Sequence, residues 1–136
     1  MRSLTALVAL LAALTLAACG SAGSTDSSGD FKGQEREVAS TVEDLQSAAA
    51  DDDASEICRT LLAKSLLDRI GGAGAGCQKA VGVALDATDT NELKVESVTV
   101  NGTNATARVQ SGTGDSATTR TVQLTREGSN WKIATL

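Results

Sequence analysis

Histidine and tyrosine are missing altogether, and the aromatic residues are confined to Phe31 and Trp131. Without an imidazole or a phenol, proton transfer near neutral pH would have to be built from carboxylates alone. Zinc loses its usual nitrogen ligand as well, and two thiolates by themselves do not complete a tetrahedral shell. Clustered positive charge is also absent. The 12 basic residues are outnumbered by 17 acidic ones, and they are scattered singly with no aromatic residues between them. That pattern offers neither a phosphate-tracking groove nor a stacking platform, so nucleic acid is excluded as a partner. With so few large rings, the core must be packed from Ala, Val and Leu, which brings neighbouring elements close together.

The N-terminus carries the clearest signal. Arg2 supplies a short positive region, and Leu4 to Ala18 is an apolar stretch interrupted only by Thr5 and Thr15, as in an export leader. It is shorter than the roughly 20 apolar residues that a transmembrane helix requires. The run Leu16, Ala17, Ala18, Cys19 resembles the lipobox of bacterial lipoproteins, which implies cleavage before Cys19 and lipid on its sulfur and amine. Two or more acyl chains anchor stably where one does not. The expected organisation is a signal peptide over residues 1–18, a lipidated cysteine and flexible tether over 19–30, and one domain over 31–136. The protein would be extracytoplasmic and held to the cell membrane through Cys19. The plainer alternative is an ordinary secretion leader followed by a chance cysteine.

Two cysteines then remain, Cys58 and Cys77. In an exported chain such a pair reads as one disulfide, which the loop-entropy model values at about 3 kcal/mol; the alternative is a pair of buried free thiols. Phe31, Val38, Val42, Leu45 and Ala49 share one helical face, predicting a helix from about Phe31 to Ala50. Asp53 and Glu56 have the spacing of a capping box at the start of a second helix, which Gly71 and Gly72 end. A third short helix is expected from Cys77 to about Leu85. Asp51, Asp52 and Asp53 are too few and too close together for a calcium loop. The glycines at 71, 72, 74 and 76 lack the lysine and flanking strand of a phosphate loop. No metal and no cofactor is indicated.

From residue 92 onward the period changes to two, predicting four strands in a meander and an α+β fold in which N-terminal helices pack on a curved antiparallel sheet. Asn101-Gly102 reads as a type I′ turn pairing Val100 with Thr103, Val98 with Ala105 and Glu96 with Ala107. Gly128-Ser129 pairs Leu124 with Ile133, Val122 with Thr135 and Arg126 with Trp131. Joining the hairpins places Ala107 opposite Arg120. Glu96 and Arg120 would then flank a small alanine across about 9.6 Å, two strand spacings. They form either a solvated ion pair or the polar floor of a ligand pocket, with Arg120 holding a ligand carboxylate.

Helices followed by an antiparallel sheet ending in Asn130, Trp131, Lys132 and Ile133 resemble the nuclear transport factor 2-like, or cystatin-like, cone. With the lipobox and tether, the chain resembles small actinobacterial lipoproteins of that superfamily. The resemblance implies a binding or interaction module, taking a small apolar molecule, a peptide or another envelope protein. It also implies a possible homodimer through the open sheet face, where Leu93 and Val95 are expected. The alternative is a small-molecule isomerase or hydrolase of the cone class using carboxylate and arginine chemistry. The short sheet, with few large side chains, argues against a deep cavity.

Overall fold

The computed structural model of the chain describes residues 27–87 and 92–136. The leader, Cys19 and most of the expected tether lie outside the described residues. Helix α1 (Gly33–Ala50) is followed by a single turn, α2 (Ala54–Glu56), a π turn (Ile57–Leu61), and helices α3 (Lys64–Arg69) and α4 (Ala75–Asp86). Strands β1 (Leu93–Asn101), β2 (Asn104–Ser111), β3 (Thr118–Glu127) and β4 (Asn130–Thr135) form one antiparallel sheet in the order β1-β2-β3-β4. The expected α+β architecture, helices first and a four-stranded meander after, is the one observed.

Strand alternation sends Val95, Val98, Ala105, Ala107, Val109, Val122, Leu124, Trp131 and Ile133 to one face. There they are buried against Val38, Val42, Ile57 and Leu61. The opposite face carries Thr99, Thr106, Arg108, Thr121 and Gln123, all exposed. Val95 does not join them as expected. It is 3% exposed, in the core, and paired with Val109, while Leu93 packs against that core. The open face therefore lacks the two apolar residues on which a sheet-to-sheet homodimer was expected to rest.

Both sheet edges are occupied, which limits pairing with other chains. On β1, the Val95 backbone N–H donates to Ser27 Oγ (3.1 Å). Ser27 is itself buried, and Glu43 Oε1 accepts from the backbone N–H groups of both Ser27 and Ser28 (2.6 Å each). Ser27 and Ser28, which precede Phe31, are thus tied to α1 and to the sheet. On β4, Ala63 donates its N–H to the Ile133 carbonyl (2.8 Å), and Leu62 forms a parallel bridge with Ile133. That bridge breaks the second predicted helix into α2, the π turn and α3, because pairing with a strand requires extended backbone at Leu62 and Ala63. Asp53 caps α2 as predicted, its Oδ1 accepting from Glu56 N–H (2.9 Å), but Glu56 turns forward to Thr60 Oγ1 (2.7 Å) and leaves the reciprocal bond unmade.

Candidate functional site

The expected row of Glu96, Ala107 and Arg120 does not form. The first hairpin turns at Gly102-Thr103 with Asn101 opposite Asn104, so Val100 faces Ala105 and Val98 faces Ala107. Gly102 has φ +63° and Thr103 is not in the positive region, the sign pattern of a type II′ turn with glycine first. The next pair is displaced likewise: Ala107 faces Val122, and Arg120 faces Val109. A bulge between Val95 and Ser97 then turns Glu96 outward. There its Oε2 lies 4.0 Å from Arg108 Nε, an exposed pair worth about 0–1 kcal/mol. Arg120 lies on the other face, that of core residues Val122 and Leu124, and is exposed at its end. In the last hairpin Leu124–Ile133 and Arg126–Trp131 pair as predicted, whereas a bulge gives Thr135 to Gln123 in place of Val122.

The concavity suited to a ligand lies elsewhere, between the helices and the end of the sheet where β1 begins. It encloses about 400 Å³. Leu45 and Ala49 of α1 form one wall, one and two turns beyond the buried Val42. Ile57, Leu62, Leu66 and Ile70 form a second, Val81, Ala84 and Leu85 of α4 a third, and Leu93 with Leu136 close the sheet end. Leu45 and Ala49 are positions that helical periodicity turns inward. Alanines at 49, 50, 80 and 84 leave the centre unfilled, so the small side chains expected to close the fold instead open it.

Two devices fix the α4 wall. The Cys58–Cys77 disulfide, with a Cα–Cα distance of 6.0 Å, ties the π turn to the first turn of α4. At the α3–α4 corner Gly72 N–H closes on the Leu67 carbonyl (2.8 Å). Gly76 passes so near Gly71 that a Cβ there would lie 2.7 Å from the Gly71 carbonyl oxygen. Polar groups are few in the lining: Gln46, Ser111 and Glu92, with no lysine or arginine among them. Glu92 and Ser111 are neighbours at the ladder's end, where Leu93 pairs with Ser111 and Gly112 N–H donates to the Glu92 carbonyl (3.3 Å).

No protein-family model matches the chain, and no curated protein or solved structure shows significant similarity to it.

A second, polar cleft of about 860 Å³ lies across the π turn from the first, lined by Glu37 and Asp44 of α1, Asp51 and Asp53 of the following turn, Glu56 of α2, and Trp131 and Lys132 of β4. Partial burial raises the Asp44 pKa, and the charges of Glu43 and Glu56 add to the effect. Lys132 Nζ is directed to the Thr60 carbonyl. Among the described residues no group of three acids or cysteines is arranged to hold a metal ion. Trp131 Nε1 and Arg126 Nε, on cross-strand partners, are buried donors without acceptors. Glu37 and Asp44 lie off the apolar face of α1 formed by Val38, Val42 and Leu45. Their convergence with β4 depends on tertiary packing, which helical periodicity does not encode.

Proposed function

We propose that this chain is a lipid-anchored extracytoplasmic module that binds a small apolar molecule. The observation carrying this reading is the aliphatic cavity of about 400 Å³. It falls within the roughly 300–1,000 Å³ of small-ligand sites and has their mostly apolar lining with a few polar groups. The anchor rests on Leu16, Ala17, Ala18 and Cys19. The Cys58–Cys77 disulfide is compatible with an oxidising compartment, and among the described residues no helix is long and apolar enough to cross a membrane. The cone-fold lipoprotein resemblance belongs to the same reading. Glu96 and Arg120, expected as the polar floor of a ligand pocket, face opposite sides of the sheet and take no part in this site.

A dodecyl probe with a terminal diazirine tests the proposal on the full-length protein in its own membrane. After irradiation, adducts are expected on cavity residues such as Leu45, Leu66, Ile70 and Leu85, and are expected to disappear in Leu85→Lys. Adducts spread over the surface, or unchanged in that variant, would overturn it.

A further inference from the structure

The polar groups of the cavity specify a headgroup, and its walls specify a tail. This inference rests on the reading of the cavity as an apolar-ligand site and narrows the ligand to a class. All the wall residues are aliphatic; neither Phe31 nor Trp131 contributes. Such a surface offers no aromatic face for a flat ring to stack on, and suits a flexible hydrocarbon chain. A volume of about 400 Å³ lies near the lower end of the range for ligand sites, room for one chain rather than two.

Charge then selects the head. Among the described residues of the lining, Glu92 alone has an ionisable side chain. A phosphate or carboxylate head would meet no counter-charge and would be repelled by Glu92. An ammonium head would satisfy Glu92 but carries donors only, so it could not accept from the Gln46 amide or the Ser111 hydroxyl. A hydroxyl both donates and accepts, so it can donate to the carboxylate and accept from the neighbouring serine.

We propose that the cavity takes a single-chain aliphatic amphiphile with an uncharged, hydroxyl-bearing head, the chemistry of a monoacylglycerol or a long-chain alcohol, with its head at Glu92 and Ser111.

The test is non-denaturing mass spectrometry of the full-length protein, extracted gently and offered dodecanoylglycerol, dodecanoic acid and dodecylamine at equal concentration. Dodecanoylglycerol is expected to be retained about tenfold more than either charged analogue, a difference of about 1.4 kcal/mol. In Glu92→Lys the order should invert, with dodecanoic acid ahead. Equal or better retention of the acid or the amine by the native protein, or an unchanged order in Glu92→Lys, overturns the headgroup assignment while leaving apolar binding in place. Retention of none of the three removes the underlying binding reading as well. Glu92 is exposed at the ladder's end, and the ranking in the native protein decides the matter even if that variant folds poorly.

Discussion

Asp44 loses part of its hydration in the acidic cleft and faces the like charges of Glu43 and Glu56, so its pKa is raised above the ordinary 3.8. The folded state therefore holds this proton more tightly than the unfolded chain does. The stability linked to Asp44 is fully present below pH 3.8 and is lost as pH rises through the folded value. Asp44→Asn should raise the urea midpoint at pH 7, and the gain should vanish below pH 3.8 and shrink in high salt. A midpoint unchanged at pH 7 would contradict this. Gly76 gives a steric counterpart. Its close approach to the Gly71 carbonyl means that Gly76→Ala should cost about 1–3 kcal/mol, readable as a lowered thermal midpoint. Gly82, in the same helix with nothing within 4 Å of an added Cβ, should instead gain up to about 1 kcal/mol as alanine. If both substitutions shift the midpoint alike, the corner is not the constraint described.

Between elements, the disulfide and the edge contacts decide which wall stays where. Replacing Cys58 and Cys77 together with alanine should lower stability by about 3 kcal/mol, the loop-closure value for their separation, and should loosen α4 first. Hydrogen exchange should then rise in α4 before it rises in the sheet. Glu43→Gln removes the charge from the bonds that hold Ser27 and Ser28, bonds of a kind worth about 1.5–3 kcal/mol. Exchange at Ser27, Ser28 and Val95 should accelerate while β2 and β3 keep their protection. Protection lost uniformly across the sheet would contradict the local role.

Strand type, and strand faces beyond the bulge at Glu96, were legible because period-two alternation runs unbroken through Val98, Val100, Ala105, Ala107 and Val109. Register was legible only where the turn was unambiguous. Gly128-Ser129 predicted the last hairpin, whereas Asn101-Gly102-Thr103 contains both an Asn-Gly and a Gly-Thr turn. The two alternatives differ by two residues in pairing, so both keep every apolar side chain on the core face. Periodicity has no means of choosing between them. The row of Glu96 and Arg120 depended on that choice, and on a bulge at Glu96 that leaves no mark in the pattern. The break at Leu62 and Ala63 was hidden for a similar reason, since the bond that stabilises it comes from Ile133, far along the chain.

For the whole molecule, a core made largely from small side chains buries Ala107, Val42 and Ile133 between the sheet and the helices, and leaves the aliphatic cavity on the side of α4. The apolar inventory of that region was readable as inward-facing positions, but whether such positions fill space or surround it depends on the distance between walls. That distance is set by the disulfide, the Gly71–Gly76 contact and the strand bridge at Leu62. The two concavities divide at the π turn: Ile57 and Leu62 face the aliphatic one, Thr60 and Leu61 the acidic one. Filling the first with Ala49→Leu should raise stability by about 1 kcal/mol where space allows, while abolishing capture of a dodecyl chain. A stabilised variant that still captures the chain would mean that the chain binds elsewhere.

The most direct measurement is a non-denaturing, non-reducing mass spectrum of the protein extracted gently from its own membranes. The spectrum should show acyl mass on Cys19, an intact Cys58–Cys77 bond and one retained small apolar molecule per chain, exchangeable for added dodecanoylglycerol. A chain that carries no such molecule and takes up none when it is supplied would contradict the claim that the aliphatic cavity is a binding site.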